Sequence, residues 1–198
     1  ALINWKNPGT FSATAVNSPT FAADRGFTGN GTTSYLDTNY APSTNGINWV
    51  QNSASLFGWS NTDTRGNSTA ICGAQHNPGL GVVGYINPWN LSIDTASHGL
   101  NGAVASNTFA PGSAQGLFTI SRTASTDYSV YRNATSLGNQ VDVSTGVPSV
   151  NVRVCGANAT QFTTRQIAAC GFGGGLSAGD VSALYAALLS YMQTTGAA

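Results

Sequence analysis

Short runs of alternating or β-branched residues recur along the chain, and clusters of Gly, Asn, Pro and Ser separate them. Short strands punctuated by turn residues in this way are typical of an all-β sandwich or barrel. The run from Gly116 to Arg122 alternates most cleanly, with Phe118 and Ile120 on one face, which is the pattern of a half-buried strand. The predicted strands are Thr10 to Val16, Ser34 to Thr38, Ala54 to Ser60, Thr69 to Gln75, Gly81 to Ile86, Leu91 to Thr95, Gly116 to Arg122, Tyr128 to Asn133, Val150 to Cys155 and Arg165 to Phe172.

One segment has a helical pattern, from Ser177 to about Gln193. Ser177 is a favourable N-cap residue, and Asp180 follows it at the positive end of the helix. The apolar positions fall on one stripe with helical spacing: Val181, Leu184, Tyr185, Leu188 and Met192. We therefore expect a single C-terminal helix that packs on a β-sandwich.

The composition narrows the class of protein. Only 7% of the 198 residues are charged, against about 25% in an average soluble protein. The seven acidic residues are all Asp, the basic residues are six Arg and Lys6, and the formal net charge is zero. Nucleic-acid binding is disfavoured because the chain has no cluster of Lys and Arg. No apolar run is long enough for a membrane helix. We expect one domain, residues 1–198, that works outside cells or in contact with neighbouring subunits.

The ends and the cysteines of the chain leave alternatives open. The chain begins with Ala1, which indicates either a mature or excised piece of a longer protein or the removal of an initiator Met. Cys72, Cys155 and Cys170 have no spacing typical of a metal site. They are interpreted as small buried apolar residues, or else Cys155 and Cys170 form a bridge between neighbouring strands.

Three stretches resemble concanavalin A-like (laminin G-like) domains. The first runs from Phe27 to Thr38 and has a glycine turn before Ser34-Tyr35-Leu36. The second is Gly116 to Arg122 followed by Asp127 to Asn133, which ends in Tyr-x-Asn. The third, Gly175 to Tyr185, is similar to the C-terminal motif of the same superfamily. The resemblance implies a concanavalin A-like antiparallel β-sandwich (jelly roll) with one C-terminal α-helix.

A narrower resemblance is to versions of this domain found in bacteriophage and prophage virion and tail proteins. It rests on the segments Asn4 to Thr10, Thr14 to Phe21 and Gln51 to Ser55. It implies a virion or extracellular location and a non-enzymatic module that recognises a surface glycan or decorates a particle. The alternatives are a purely structural, self-assembling virion or filament subunit without a ligand, and a polysaccharide-degrading enzyme. The expected partners are a cell-surface glycan and other virion or filament subunits, including copies of this chain.

Enzymatic activity is not expected, because glycoside hydrolysis normally needs two carboxyl groups that face each other, commonly Glu. The chain has no Glu, and its Asp residues are scattered. His76 and His98 could serve a lyase only if the fold brought suitable partners to them. No cofactor is expected. Calcium is the one metal considered, since Asp37-Thr38-Asn39 and Asn61-Thr62-Asp63 carry suitable oxygen atoms but few carboxylates.

Sugar binding is the site chemistry that the sequence favours. Sugar rings stack on flat aromatic side chains, while amides and imidazoles bind their hydroxyl groups. Tyr85, Asn87, Trp89, Asn90 and His76 are the candidate ligand-binding residues, located in or beside two Pro-containing turns. The alternative is that Trp89 covers the edge of the core and Tyr85 packs between the sheets. Trp5, Trp49 and Trp59 are expected to be structural, since they lie in or beside strand-like runs.

Overall fold

A computed structural model describes residues 2–67, 69–76, 82–102 and 108–196. Within these ranges the chain forms two helices, α1 (Pro42–Asn45) and α2 (Ala178–Thr195). The strands, in chain order, are β1 (Thr14–Val16), β2 (Thr20–Ala22), β3 (Gly26–Thr28), β4 (Tyr35–Asp37), β5 (Ala54–Ser60), β6 (Cys72–Gln75), β7 (Val83–Asn90), β8 (Thr95–Gly102), β9 (Gly116–Arg122), β10 (Asp127–Arg132), β11 (Thr135–Val141), β12 (Arg153–Val154) and β13 (Gln166–Gly173).

The strands form two antiparallel sheets that face each other, so the predicted fold class is confirmed. One sheet has six strands in the order β1-β4-β12-β6-β7-β8, and the other has seven in the order β11-β10-β9-β5-β13-β3-β2. The strands predicted at Ala54–Ser60 and Gly116–Arg122 are β5 and β9, with the same bounds. They pair along their whole length, from Ala54 opposite Arg122 to Ser60 opposite Gly116.

The core lies between the sheets, and alternation along each strand fills it. Leu56 of β5 and Phe118 and Ile120 of β9 point into it and are buried. The opposite face of β9 is buried as well, since Leu117 lies beneath α2, so β9 is not the half-buried strand expected. All three cysteines are free thiols: Cys72 and Cys155 are buried, and Cys170 is half-buried.

Helix α2 packs on the outer face of the seven-stranded sheet, as its apolar stripe predicts. Leu188 and Met192 are buried against Trp59 and Leu117. The Ser177 side chain accepts a hydrogen bond from the Asp180 backbone N–H, and the Asp180 carboxylate accepts one from the Ser177 N–H. Within the described residues, no helix has both the length and the apolar character needed to cross a membrane.

Several predicted secondary-structure elements differ from those in the structure, because turns and strands of this chain contain the same residue types. The strand predicted at Leu91–Thr95 is largely the turn between β7 and β8, because Asp94 adopts a left-handed backbone (φ 55°) and its N–H donates to the Asn90 carbonyl. The predicted start of β7, Gly81, lies outside the described residues. Five elements lacked a clear periodic signal and were not predicted, apart from Thr95 at the start of β8: β2, β3, β8, β11 and α1.

Candidate binding site

Trp89, the predicted stacking residue, is held inside the molecule at the end of β7. Only 9% of it is exposed. The Arg65 guanidinium lies 3.9 Å from the centre of its ring, and its indole Nε1 donates to the Asp94 carboxylate at 2.7 Å. Arg65 also forms an ion pair with Asp94 at 2.7 Å. The face and the polar edge of this indole are therefore both used by the protein itself.

Tyr85 and Asn87 are buried in the same strand. The Tyr85 hydroxyl lies 2.7 Å from Ser97 Oγ, and burial raises the pKa of Tyr85. Tyr85 belongs to a small cluster with Ala70 and Ala157, so it is buried but not between the sheets as the alternative interpretation had it. Asn87 Oδ1 accepts from the buried Arg165 guanidinium. Neither side chain presents a surface to a sugar in this structure.

His76 and Asn90 lie at opposite ends of β7. His76 follows Gln75, which pairs with Val83 at the start of β7, whereas Asn90 ends the strand. These ends are roughly 20 Å apart at the usual rise per strand residue. His76 is exposed and its Nε2 lies 2.9 Å from Ser149 Oγ, while Asn90 Oδ1 accepts from the Ser92 N–H. The structure thus does not gather the five predicted residues into one site, and their role in glycan binding stays a prediction.

One oxygen of each carboxylate considered for calcium accepts hydrogen bonds within the protein. Asp37 Oδ1 accepts from the Asn39 N–H and from Asn151 Nδ2. Asp63 Oδ1 accepts from the Ala114 N–H at 2.7 Å. Among the described residues, no three His, Cys, Asp or Glu side chains are arranged to hold a metal ion. Calcium binding therefore stays a prediction.

An apolar groove of about 780 Å³ lies at the surface of the described part of the chain. Strand β13 and α2 line it together with the N-terminal segment, residues 2–13, which we call the N-terminal arm. Phe172 of β13, Leu184 of α2 and Trp5 of the arm are among its lining side chains. A large apolar cleft with a few polar groups is the usual form of a ligand site, so this groove is the candidate binding site.

The N-terminal arm is shaped by its own side chains. Asn4 Oδ1 accepts from the backbone N–H groups of Lys6 and Asn7. The following Pro8-Gly9 pair makes a turn in which Gly9 has φ 96°, a backbone region that glycine adopts without strain. The Ala13 N–H then donates to the Leu2 carbonyl at 2.8 Å and closes the arm. These local bonds hold Trp5 at the entrance of the groove.

Trp5 and Tyr191 form an exposed aromatic platform at this entrance, which we call the Trp5–Tyr191 platform. Their rings meet edge to face with centroids 5.4 Å apart. Trp5 is 63% exposed and Tyr191 48% exposed. Asn4, Asn7 and Asn48 are among the residues that line the same groove. The platform thus combines flat apolar faces with amide groups, as sugar binding requires.

Sequence reasoning missed this platform and placed Trp5 among the structural residues. Trp5 is exposed, unlike Trp49 and Trp59, which are buried as expected, and its role stays a prediction. Two signals were present in the sequence. Trp5 lies between Asn4 and Lys6 just before a Pro-Gly turn, and Tyr191 lies outside the apolar stripe of its helix. An aromatic residue in either position has no element of its own to bury it.

Comparison with known proteins supports the fold. No family model matches the chain, and neither does any curated protein. The chain is similar to domain 4 of AbnA, a GH43 extracellular arabinanase from Geobacillus stearothermophilus, in complex with arabinotriose. That match has a TM-score of 0.57 at 15% identity, over 89% of this chain and 90% of the other.

Two other solved structures are similar over part of their length. The binding domain of botulinum neurotoxin serotype D matches with a TM-score of 0.59 at 11% identity, over 91% of this chain and 47% of that one. A Trypanosoma rangeli sialidase matches with a TM-score of 0.55 at 13% identity, over 87% of this chain and 29% of the enzyme. The chain therefore spans less than a third of the sialidase and about half of the toxin domain. At these identities the likeness shows the antiparallel β-sandwich fold and does not transfer an activity.

Proposed function

We propose that this protein is a non-catalytic, extracellular-type attachment module that binds a carbohydrate at the Trp5–Tyr191 platform. The observation that carries the proposal is the exposed aromatic pair, of which Trp5 lines the apolar groove together with Asn4, Asn7 and Asn48. The AbnA domain, which matches along nine tenths of its length, was solved with arabinotriose. The sequence resemblance to phage virion domains supports a location on a virion or another extracellular particle.

The positions of the carboxylates support a binding role over a catalytic one. Asp94 pairs with Arg65, Asp142 pairs with Arg122 and Asp180 caps α2. Asp37 and Asp63 accept backbone hydrogen bonds, as described above. Since the chain has no Glu, most of the carboxylates available for acid–base chemistry have structural partners.

A glycan array followed by calorimetric titration tests the proposal, with arabinotriose as the first probe in solution. We expect Trp5→Ala and Tyr191→Ala each to weaken binding at least about tenfold, since each removes a stacking face. Leu91→Ala is the matched control, because Leu91 is 57% exposed at the β7–β8 turn and does not line the groove. If Trp5→Ala bound the glycan with wild-type affinity and Asn90→Ala or His76→Ala lost that affinity, the proposal would be contradicted. The binding site would then lie at the corresponding end of β7.

A second candidate function is self-assembly, and the outer edge of β11 favours it. In the described part of the chain no strand pairs with this edge. The seven residues of β11 include no charged side chain, and Val141 is 77% exposed. Edge strands without charges readily pair with another copy.

Light scattering on the eluted protein distinguishes the two functions. A stable oligomer that dissociates on Val141→Lys, together with no signal on the glycan array, would replace the attachment role with a structural one. A monomer that binds glycan would exclude assembly through β11 as the main role.

A further inference from the structure

The three cysteines, far apart in the sequence, meet in one part of the fold. Cys72 belongs to β6 of the six-stranded sheet, and Cys170 belongs to β13 of the seven-stranded sheet. Cys155 directly follows β12, which pairs with β6. The thiols therefore face each other across the inter-sheet core.

Gly58 shows how close Cys72 comes to Cys170. Cys170 and Gly58 are cross-strand partners in the pairing of β13 with β5. A Cβ atom on Gly58 would lie 3.2 Å from Cys72 Sγ, so Cys72 occupies the space that a side chain at Gly58 would fill. Cβ atoms of directly paired residues are about 4.5–5.5 Å apart and point to the same face. The Cys72 sulfur is thereby placed beside the Cys170 side chain. The hydrogen bond of the Cys72 thiol goes to the Phe57 carbonyl oxygen, at 3.6 Å.

Cys155 lies opposite a different part of β13 from the part that carries Cys170. Its Sγ lies 3.6 Å from the Phe27 carbonyl oxygen, and Phe27 pairs with Ile167 of β13. Ile167 precedes Cys170 by three residues, which is roughly 10 Å along an extended strand. Cys155 is therefore farther from Cys170 than Cys72 is, although a bridge between Cys155 and Cys170 was the pairing suggested by the sequence.

We propose that Cys72 and Cys170 are a paired dithiol that a hydroperoxide oxidises to a disulfide joining the two sheets. Cys170 is the residue that the oxidant reaches, because it is half-buried and lines the groove. Cys72 is fully buried, and burial raises its pKa well above the ordinary value, so it reacts second.

The chemistry proceeds in two balanced steps. The Cys170 thiol attacks one oxygen of hydrogen peroxide, the O–O bond breaks, and a sulfenic acid and one water form. The Cys72 sulfur then attacks the Cys170 sulfur, the S–O bond breaks, and the leaving hydroxide takes the Cys72 proton to form a second water. Two thiols are oxidised by two electrons in total, and one peroxide is reduced to two waters.

This link would fasten the central region of the seven-stranded sheet to the six-stranded sheet. The loop that it closes, from Cys72 to Cys170, covers about half of the chain. Closing a loop of that size constrains the unfolded chain strongly, and we expect the oxidised protein to melt about 5–15 °C higher than the reduced protein.

Tryptic mapping of the native full-length chain tests the proposal directly. Cleavage after Arg65, Arg122, Arg153 and Arg165 places the three cysteines on separate peptides. The protein is treated with hydrogen peroxide at neutral pH, alkylated in denaturant and digested. We expect one linked pair containing Cys72 and Cys170, a single alkylated thiol at Cys155 and a mass loss of about 2 Da before alkylation.

The variants separate this pairing from the competing one. Cys155→Ser is the matched control and should form the same link, whereas Cys72→Ser and Cys170→Ser should not form it. The wild-type map needs no variant, so an unstable Ser variant does not prevent the test. A Cys155–Cys170 link, or sulfinic acid at Cys170 without any link, would overturn the proposal.

Discussion

The β7–β8 hairpin and the N-terminal arm each carry a tryptophan close in sequence to Asn residues, but one tryptophan is buried and the other is exposed. Trp89 of the hairpin is enclosed by Arg65 and Asp94, whereas Trp5 of the arm packs edge to face with Tyr191 and is 63% exposed. Arg65 and Asp94 cover the Trp89 indole, whereas the Trp5 indole remains mostly exposed. An aromatic residue next to Asn and Pro is thus common to a structural turn and to a binding surface, and its neighbours in space decide between them.

The hairpin is enclosed because Arg165 forms hydrogen bonds both to Trp89 and to the segment that contains Thr64 and Thr69. This guanidinium is almost fully buried and donates to the backbone carbonyls of Thr64, Thr69 and Trp89. Burial lowers the pKa of Arg165 to about 10, and the distant Asp63 raises it only in part. The side chain remains charged at neutral pH and is stabilised mainly by neutral oxygen atoms.

Replacing Arg165 is expected to have the largest effect on the enclosed region. Arg165→Met leaves several buried carbonyl oxygens without a donor, so we expect a loss of about 4 kcal/mol in unfolding free energy by urea denaturation. Arg165→Lys is the control, because it keeps the charge but not the planar set of donors, and it should recover only part of the loss. Unchanged stability in Arg165→Met would mean that burying the charge costs as much as its hydrogen bonds contribute.

Trp89→Ala sharpens the contrast between the two tryptophans. It removes a buried indole and leaves Arg65 and Asp94 paired over a cavity, so we expect a loss of about 3–4 kcal/mol in the same assay. Trp89→Phe keeps the ring face under Arg65 and should lose only about 1 kcal/mol. If Trp89→Ala were as stable as the wild type, the burial of this residue would contribute nothing to the free energy of unfolding, contrary to the prediction.

His98 on β8 gives the hairpin a pH dependence. Its ring is fully buried, Nδ1 lies 2.9 Å from the Tyr128 hydroxyl, and desolvation lowers its pKa from 6.5 to about 4. The unfolded chain therefore binds a proton between these two values, whereas the folded chain does not. The contribution of His98 is complete above pH 6.5 and is lost as the pH falls to about 4, by about 3 kcal/mol.

Urea denaturation of the wild type and of His98→Gln across this pH range checks the prediction. The variant, which has no titrating group at this position, should show a flatter profile, since all other groups are common to both proteins. Equal slopes in the two proteins would contradict the expected titration.

Trp5→Ala should have the smallest effect on stability. Its ring is mostly exposed, so we expect a change within about 0.5 kcal/mol, together with the loss of glycan affinity proposed above. A large loss of stability would show that the N-terminal arm needs Trp5 for packing, and the exposed platform would then be structural.

The parts of the fold that sequence predicted are those in which a residue's burial follows from its own element. In β9 the alternation predicted the inward face of Phe118 and Ile120, and the stripe of α2 matches its contact with the sheet. The burial of Leu117 on the opposite face of β9 was not predicted, because α2 covers it. The turn at Asp94 was predicted as a strand because Leu91 and Ile93 alternate with polar residues, yet both of these side chains are exposed. Alternation alone does not establish a strand that lacks a partner.

The sequence by itself determined an all-β chain with one C-terminal helix, a surface nearly free of charge and a scarcity of carboxylates, since these follow from periodicity and composition. Only the tertiary structure decided which tryptophan is enclosed, which aromatic pair borders a groove and which two thiols meet. Each of these depends on contacts between residues far apart in the chain: Arg165 reaches Trp89, Tyr191 reaches Trp5 and Cys170 reaches Cys72. Local sequence patterns carry no record of such contacts, because the packing of the two sheets and the helix creates them.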